Sequence, residues 1–441
     1  MKLDNWLAQR AQTSPDRTAL VADGAGMSFA ELEAEATWVA NRLAAEGVRR
    51  GATVALTMPP GREMVVLIHA LMKLGAVLLP LNPRLTDAER SAVLRAERPA
   101  VELSDAGELT QTEADLPLLG EHDMDDLHCR ILTSGSSGEP RTIGLTYGNH
   151  LWSAVGSAFN LGMNPDDCWL CCLPLSHIAG LSIVMRSVIY GTTVGLHPSF
   201  EVDAVAATME SGECSVVSLV PTMLVRLLDA GADLSGPRAI LVGGGPVPDD
   251  ALEEAVGRGA SVVQTYGLTE ACSQVTTLGP ADAKRKLGSA GRPLLTTHLR
   301  IQDGEILVQG PTVAPGCADA DGWLHTRDLG RIDDEGFLYV QDRIDDVIVT
   351  GGENVVPAEV EQVLLRHPEV EDAAVIGRED PEWQEAVTAV VVLRGDVDLP
   401  TEELRRHCAS ELAGYKVPKR IEIASALPRT PSGKLMRRAL R

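Results

Sequence analysis

The sequence is poor in positive charge. Its 441 residues include 39 lysines and arginines against 62 aspartates and glutamates, which gives a formal net charge of −23. Such a field repels polyanions, because nucleic acid binding depends on basic side chains that neutralise phosphates. Nucleic acid is therefore not expected as a partner. The same acidity is found in proteins of a salty cytoplasm, and the sequence leaves that alternative open.

The sequence also lacks a long uninterrupted apolar run. The N-terminus, MKLDNWLAQRAQTSPDRTAL, has charges where a signal peptide needs an apolar core. The most apolar stretch, MVVLIHALMKLGAVLLPLN, is broken by His69 and Lys73. It indicates a buried helix followed by a strand and no membrane span. The expectation is a soluble cytoplasmic protein, and a homo-oligomer stays open.

The cysteines show no metal-binding spacing. Only Cys168, Cys171 and Cys172 cluster, in CWLCCLP, and no second ligand pair follows at the spacing of a zinc site. These cysteines alternate with apolar residues on a predicted strand. We therefore interpret them as small core residues and reject metal binding through their thiolates.

The order of elements predicts an α/β fold. Short apolar strands alternate with helical segments and end in glycine-rich turns, as in PRAILVGGG and ASVVQTYG. Ser28 precedes one predicted helix as its N-cap, with Glu31 three positions on as a capping box. This alternation is typical of parallel-rich sheets covered by helices. Ligands of such folds bind at the carboxyl ends of the strands.

The length of the chain predicts more than one domain. A chain of 441 residues exceeds what one hydrophobic core usually supports. The character of the sequence changes near residue 340, where a hairpin, a helix beginning around Pro357 and a further strand are indicated. We predict a large N-terminal domain over 1–342 and a small α+β domain over 343–441.

The stretch LTSGSSGEPRTIGLT at 132–146 combines hydroxyl side chains, glycines and an arginine. It is not the phosphate loop of nucleotide kinases, because Gly135 and Gly138 are only three apart and no lysine follows at the required place. Its backbone amides, its hydroxyls and Arg141 can still surround a polyphosphate. Taken alone, a plain flexible turn is the alternative.

Five further segments accompany this loop. They are GGGPVP, QTYGLTE, HTRDLG, DRIDDVIVTGGEN and PRTPSGKLMRRAL. Together with the loop, these segments resemble the motifs of the adenylate-forming superfamily of acyl-CoA ligases, luciferases and peptide-synthetase adenylation domains. They occur in the order and at the spacing of that superfamily. The resemblance extends over nearly the whole chain.

The resemblance implies two half-reactions. A carboxylate attacks the α-phosphorus of ATP and gives an acyl-adenylate and pyrophosphate, and the thiolate of coenzyme A then displaces AMP. The implied requirements are ATP, Mg²⁺, coenzyme A as co-substrate and a small carboxylic acid. The domain over 1–342 would bind nucleotide and acyl group, and the domain over 343–441 would be a mobile catalytic domain.

The resemblance also assigns roles to matched residues. Lys434 would bridge the substrate carboxylate and the α-phosphate, Glu270 would hold Mg²⁺, and Asp345 would be the hinge between the domains. Gly351 and Gly352 would let the pantetheine arm of coenzyme A pass close to the backbone. The ATP site would comprise Thr133, Ser134, Gly135, Ser136, Ser137, Gly138, Arg141, Gly243, Gly244, Gly245, Pro246, Thr265, Tyr266, Gly267, Thr269, Asp328 and Arg343. Of these, Thr133 is also a catalytic candidate.

A narrower likeness concerns the acyl substrate. The segment at 145–191 resembles the branch of the superfamily that activates o-succinylbenzoate in menaquinone biosynthesis. His177, a catalytic candidate, and Gly267 would border the acyl pocket. Arg186 would face a second substrate carboxylate, and an arginine that snorkels at a helix edge is the alternative. Other aryl- or fatty-acyl-CoA ligases, a carrier-loading adenylation enzyme and an inactive ATP-binding protein are the rival functions.

Three positions depart from the superfamily pattern. Arg141 replaces the usual loop lysine, Thr142 replaces the glycine after it, and Arg327 stands where glycine is usual before Asp328. Arginine keeps the charge but is not equivalent to lysine. We expect activity to survive these changes with altered affinity for ATP.

Overall fold

The computed structural model describes residues 1–105, 107, 109, 118–134, 140–395, 397, 399–430 and 435–441, with 134 and 140 described by their backbone alone. Within these residues the chain is a mixed α/β protein with a large N-terminal domain and a smaller C-terminal domain. The predicted fold class is confirmed. The predicted boundary at 342/343 stays a prediction.

Helices are distributed along the whole chain. They are α1 (Trp6–Thr13), α2 (Phe29–Ala45), α3 (Arg62–Leu74), α4 (Asp87–Glu97), α5 (Tyr147–Leu161), α6 (Ile178–Tyr190), α7 (Val202–Glu210), α8 (Pro221–Asp229), α9 (Asp249–Gly257), α10 (Pro357–Leu365) and α11 (Thr401–Glu411). Short 3-10 turns follow several strands, among them Thr269–Ala271 and Ile344–Asp346.

Strands of the large domain alternate with these helices. They are β1 (Lys2–Asp4), β2 (Thr18–Ala22), β3 (Ala25–Ser28), β4 (Thr53–Leu56), β5 (Val77–Pro80), β6 (Val101–Leu103), β7 (Glu121–Asp123), β8 (Leu127–Ser134), β9 (Pro140–Thr146), β10 (Cys168–Cys171), β11 (Thr193–Leu196), β12 (Val216–Leu219), β13 (Ala239–Val242), β14 (Val262–Leu268), β15 (Ser273–Thr277) and β16 (Arg292–Pro293).

The remaining strands follow in the C-terminal third of the chain, where α10 and α11 are interspersed among them. They are β17 (His298–Gln302), β18 (Glu305–Gln309), β19 (Leu324–Ile332), β20 (Leu338–Arg343), β21 (Ile348–Thr350), β22 (Glu353–Val355), β23 (Val370–Asp380), β24 (Gln384–Leu393) and β25 (Arg420–Ile423).

Two parallel-rich sheets form the large domain. The first has the order β16-β15-β14-β13-β12-β10-β11-β2-β3 and is parallel from β14 to β2, and the second has the order β6-β4-β5-β8-β9. Leu56 on β4, Leu67 on α3, Leu181 on α6 and Leu241 on β13 belong to one buried cluster, so both sheets share a core with these helices. This arrangement brings the ends of β8, β13 and β14 toward a common site.

An antiparallel sheet, β17-β18-β19-β20, leads from the large domain to the small one. The small domain is built on β22-β21-β24-β23, with β25 paired to β24. Its first helix begins at Pro357, as predicted, because proline at the first helical position loses no helical hydrogen bond. Val360, Val375 and Leu404 form part of its separate core.

Local sequence signals are confirmed where they are strong. The Ser28 hydroxyl accepts from the Glu31 amide at 3.2 Å, and the Ser28 amide donates to the Glu31 carboxylate at 2.8 Å. The apolar stretch with His69 and Lys73 forms the buried α3 and leads to β5. Among the described residues, no helix is both long and apolar enough to span a bilayer.

Two of the three clustered cysteines, Cys171 and Cys172, lie in the core, as predicted, whereas Cys168 is only partly buried. Cys168 and Cys171 belong to β10, and Cys171 and Cys172 are buried. Burial raises the pKa of Cys171 to about 12, which keeps that thiol protonated at neutral pH. A protonated, buried thiol behaves as a small hydrophobic side chain.

Candidate active site

The hydroxyl-rich loop connects two strands of a hairpin. β8 and β9 pair in antiparallel fashion with Thr133 opposite Arg141, and the Thr133 hydroxyl donates to the Arg141 carbonyl at 3.2 Å. Gly135, Ser136, Ser137, Gly138 and the side chain of Ser134 lie outside the described residues. The structure therefore fixes the two ends of the predicted phosphate loop.

Arg141 joins this hairpin to the segment after β14. Its guanidinium Nη2 donates to Glu270 Oε1 at 2.7 Å. The Arg141 side chain is 60% exposed, whereas that of Glu270 is 16% exposed. Glu270 lies in the 3-10 turn with Thr269, directly after the strand. The candidate phosphate-binding cation and the candidate magnesium ligand are thus neighbours.

The end of β14 is shaped by close backbone contacts. A Cβ atom at Gly267 would lie 1.6 Å from the Ser273 carbonyl oxygen, so only glycine fits there. The hydroxyl of Thr265 donates to the Thr276 carbonyl at 2.9 Å. Gly243, directly after β13, faces the Thr265 side chain. The exposed residues that follow it in the turn are Gly244, Gly245 and Pro246.

Asp328 is held between two side chains. The Tyr266 hydroxyl donates to its Oδ2 at 2.7 Å, and Arg343 Nε donates to its Oδ1 at 2.8 Å. Asp328 and Arg343 are register partners on β19 and β20. Burial and the neighbouring carboxylate raise the pKa of the Tyr266 phenol well above its usual value, so this phenol stays a donor. Three predicted site residues therefore form one contact group.

Two polar residues belong to the region of the buried helix α6, His177 directly before it and Arg186 within it. His177 occupies the N-cap position without a capping bond from its side chain, and burial lowers the pKa of this histidine. Nε2 of His177 is buried and unpartnered among the described residues. Arg186 is 3% exposed, so its guanidinium does not snorkel to solvent.

The surroundings of Arg186 contain no acidic counter-charge. Its Nη2 donates to the Ser153 hydroxyl at 3.0 Å, and the guanidinium carbon lies 5.6 Å from the ring centroid of Trp169. Nε is buried without a partner, and the ionisable groups that act on this guanidinium among the described residues are the Tyr190 phenol and the Cys272 thiol, with no carboxylate. A buried cation with spare donors is suited to bind an anion. Sequence reasoning did not identify Ser153 and Trp169, because nothing in their local pattern distinguishes them.

The hinge candidate and the glycine pair lie on the small-domain side. Asp345 belongs to the 3-10 turn Ile344–Asp346, and both Nε and Nη2 of Arg327 donate to its carboxylate, the former at 3.0 Å. Gly351 and Gly352 form the two-residue turn between β21 and β22, with φ values of 58° and 86°. Lys434 lies outside the described residues.

Arg437, three residues after Lys434, forms ion pairs that the sequence alone did not indicate. Arg437 looks like part of a solvated basic tail, yet its side chain is only 14% exposed. Its Nη2 lies 2.6 Å from Glu361 Oε2, and its Nη1 lies 3.5 Å from Asp346 and 3.8 Å from Asp342. Arg437 thus anchors the C-terminal segment to acidic residues that are distant in sequence. No local sequence signal could have identified these ion pairs.

Comparison of the sequence with protein-family models agrees with the site described above. Residues 7–317 match the sequence model of the AMP-binding enzyme family, and residues 359–434 match that of the AMP-binding enzyme C-terminal domain. The chain belongs to the AMP-binding enzyme family. The predicted membership of the adenylate-forming superfamily is confirmed.

Individual relatives are similar over their whole length. The 2-succinylbenzoate–CoA ligase of Bacillus mycoides is 41% identical over 474 residues, covering 100% of this chain and 98% of the relative. The o-succinylbenzoate CoA synthetase of Bacillus subtilis, in complex with its acyl-adenylate intermediate, superposes with a TM-score of 0.93 at 40% identity, covering 100% of this chain and 98% of that one.

A second structure of the Bacillus subtilis enzyme superposes less well. A double mutant bound to its product analogue has a TM-score of 0.76, again at 40% identity with 100% and 98% of the two chains covered. The present structure therefore shares its overall arrangement with the acyl-adenylate complex more closely than with the product-analogue complex.

Proposed function

We propose that the protein is an AMP-forming acid–thiol ligase that activates 2-succinylbenzoate as the acyl-adenylate and transfers it to coenzyme A, as menaquinone biosynthesis requires. One observation carries the reaction class. The segment at 264–270 contacts the phosphate loop through Glu270 and Arg141, and the candidate ribose site through Tyr266 and Asp328. The end of β14 thus contacts both the residues proposed to bind the phosphates and the residue proposed to bind the ribose.

The nucleotide would lie along this strand end. Asp328 would accept from the ribose hydroxyls, since each of its oxygens keeps a free lone pair beside its bond to Tyr266 or Arg343. The hydroxyls of Thr133 and Thr269 would donate to phosphate oxygens. The adenine turn and the phosphate loop would supply Gly243, Gly244, Gly245, Pro246, Thr265 and Gly267 on one side and Ser134, Gly135, Ser136, Ser137, Gly138 and Arg141 on the other.

Glu270 fits a magnesium ion. Its carboxylate already accepts a hydrogen bond from the cationic side chain of Arg141. Mg²⁺ is typically coordinated by carboxylate oxygens together with water and substrate phosphates. The bound ion would neutralise phosphate charge. Arg141 can then leave Glu270 for the phosphates, because its side chain is largely exposed.

The first half-reaction concentrates negative charge. The substrate carboxylate oxygen forms a bond to the α-phosphorus, and the bond from that phosphorus to the bridging oxygen of pyrophosphate breaks. Lys434 would approach both the carboxylate and the α-phosphate and stabilise the charge that builds up between them. Arg437, three residues on, would hold the lysine segment through Glu361.

The acyl group would lie between α6 and the end of β14. Gly267 and His177 would border it, and the unpartnered Nε2 of His177 would be available to a substrate oxygen. Arg186 would bind the second carboxylate of 2-succinylbenzoate. A monocarboxylic fatty acid would leave that buried guanidinium without a counter-ion, which favours the dicarboxylic substrate.

The second half-reaction needs a different domain orientation. The small domain over 343–441 would rotate about Asp345 against the large domain over 1–342, withdraw Lys434 and bring Gly351 and Gly352 to the pantetheine arm. The thiolate of coenzyme A then bonds to the acyl carbon, and the bond from that carbon to the AMP oxygen breaks.

The surroundings of the enzyme follow from its substrates. Because the reaction consumes ATP and coenzyme A, we place it in the cytoplasm. A net charge of −23 disfavours nucleic acid as a partner, so its partners would be small molecules. Self-association into a homo-oligomer stays a prediction.

The test is AMP formation with ATP, Mg²⁺ and coenzyme A over four acids: 2-succinylbenzoate, benzoate, octanoate and acetate. We expect 2-succinylbenzoate to turn over much faster than the others. Faster turnover of octanoate or benzoate would keep the ligase class and overturn the substrate. Pyrophosphate release without a coenzyme A thioester would instead favour a carrier-loading enzyme.

A further inference from the structure

Arg327 combines an unfavourable backbone with a well-defined side-chain contact. Its φ of 61° lies in the left-handed region that favours glycine. Its amide donates to Glu305 Oε1 at 2.8 Å, which fixes the backbone from which the side chain extends. A strained residue that borders a functional site suggests that its side chain has a task there.

That side chain contacts the hinge candidate. Nε of Arg327 donates to Asp345 Oδ2 at 3.0 Å, and Nη2 donates to Oδ1. Arg343 runs the other way, from the end of β20 to Asp328 on β19. Two crossed ion pairs therefore connect neighbouring residues of β19 with the end of β20 and with the hinge turn that follows it. The fork of an arginine fits a carboxylate in one relative direction, which makes such a contact geometrically selective.

We propose that Arg327 is a positioning residue, which holds Asp345 in the domain orientation that the adenylation half-reaction uses. The inference rests on the proposed function, in which the small domain rotates about Asp345. Rotation changes the backbone dihedrals of Asp345 and turns its carboxylate relative to Arg327 on β19. The pair would then exist in one orientation and break in the other.

The domain orientation of this structure corresponds to the one proposed for the adenylation half-reaction. The present arrangement resembles the acyl-adenylate complex of the Bacillus subtilis enzyme more closely than its product-analogue complex. Arg327 and Asp345 are 51% and 38% exposed, so the ion pair is partly screened by water. A small bias suffices here, because an interaction made in only one of two orientations shifts their populations by its full strength.

The test compares the two half-reactions separately. Adenylation is followed by acid-dependent ATP–pyrophosphate exchange without coenzyme A, and transfer by a single turnover of supplied acyl-adenylate with coenzyme A. Arg327→Gln should slow exchange about twofold to fivefold, the range of an exposed ion pair, and leave transfer unchanged or faster. Arg327→Lys, which keeps the charge without the fork, should fall between Arg327→Gln and wild type.

Two further comparisons separate positioning from general damage. Arg331→Gln removes an exposed arginine from the same strand and should change neither half-reaction. Asp345→Asn should slow exchange like Arg327→Gln, and the double variant should be no slower than either single one. Higher salt should reduce the difference between wild type and Arg327→Gln, because salt screens exposed pairs.

Equal losses in both half-reactions, or no loss in exchange, would overturn the proposal. Additive losses in the double variant would also do so. If Arg327→Gln does not fold, Arg327→Lys and Asp345→Asn carry the same comparison. Failure of the proposed function is distinguishable, because wild-type protein would then show no exchange with any acid.

Discussion

Arg141 Nη2 donates to Glu270 Oε1 over 2.7 Å, although the two residues are 129 positions apart in the sequence. The contact connects the loop proposed to bind phosphates with the carboxylate proposed to bind magnesium. The Arg141 guanidinium thus already lies where cationic charge is needed when ATP binds. The pair explains how a site that departs from the superfamily lysine keeps a cation in position.

The first prediction concerns this arginine. Arg141→Ala should raise KM for ATP about tenfold or more, because hydrogen bonds to charged groups contribute about 1.5–3 kcal/mol. Arg141→Lys should raise it less. Arg130→Ala is the matched control, since Arg130 lies on the same hairpin but pairs with Glu97. An unchanged KM for ATP in Arg141→Ala would remove Arg141 from the phosphate site.

The second prediction concerns Lys434. Lys434→Ala should slow adenylation about 10²–10³-fold, as expected when one preorganised donor to a developing charge is lost. Transfer from supplied acyl-adenylate to coenzyme A should continue. Lys416→Ala, which removes a lysine paired with Glu359 in the same domain, is the control. Similar rates of pyrophosphate exchange in wild type and Lys434→Ala would contradict the assigned role.

The third prediction concerns substrate choice. Arg186→Gln should lower kcat/KM for 2-succinylbenzoate about tenfold or more, because a charge-assisted hydrogen bond is lost in a buried site. The rate with 4-oxo-4-phenylbutanoate, which has the same skeleton without the ring carboxylate, should change little. Equal losses with both acids would show that Arg186 serves packing against Trp169 instead of recognition.

The fourth prediction concerns the anchor of the C-terminal segment. Arg437→Ala removes the ion-pair partner of the buried Glu361 carboxylate, which among the described residues then keeps only its bond from the Val375 amide, and breaking a buried pair costs about 3–5 kcal/mol. Burial already raises the pKa of Glu361 to about 7, so protonation of this carboxylate would offset part of the loss near neutral pH. Urea unfolding should show a lower midpoint for Arg437→Ala than for the exposed Arg438→Ala. Equal midpoints would contradict the anchor.

The fifth prediction concerns acid stability. Burial lowers the pKa of His69 to about 3 and that of His122 to about 4, from an ordinary value near 6.5. The unfolded chain therefore binds more protons than the folded one between these values, and the free energy of unfolding should fall as pH drops from about 6.5 to about 4. His69→Leu should flatten this profile, whereas the exposed His298→Gln should not. A parallel profile in His69→Leu would contradict the assignment.

Local signals could be predicted from the sequence because they depend on neighbouring residues. The capping box of Ser28 and Glu31 and the helix that begins at Pro357 are of this kind. Buried strands such as β13 follow from short apolar runs that end in glycine. These elements already imply that the candidate site lies at the strand ends.

Contacts between distant segments could not be predicted in the same way. The pairs Arg141–Glu270 and Arg437–Glu361 depend on how sheets and domains pack, and no local pattern encodes that. Arg327 was visible only as a departure from glycine, since its left-handed backbone and its bond to Asp345 emerge from the turn geometry. The burial of Arg186, which decides between recognition and snorkelling, likewise requires the packed helix.

The most direct test of the account follows the oxygen atoms of the acid. Wild-type protein is incubated with 2-succinylbenzoate labelled with ¹⁸O in its carboxylates, together with ATP, Mg²⁺ and coenzyme A. Because a carboxylate oxygen bonds to the α-phosphorus and stays with AMP when the thiolate attacks, each AMP should carry one ¹⁸O, in equal amount to the coenzyme A thioester. Unlabelled AMP, or label in pyrophosphate or inorganic phosphate, would contradict an acyl-adenylate route.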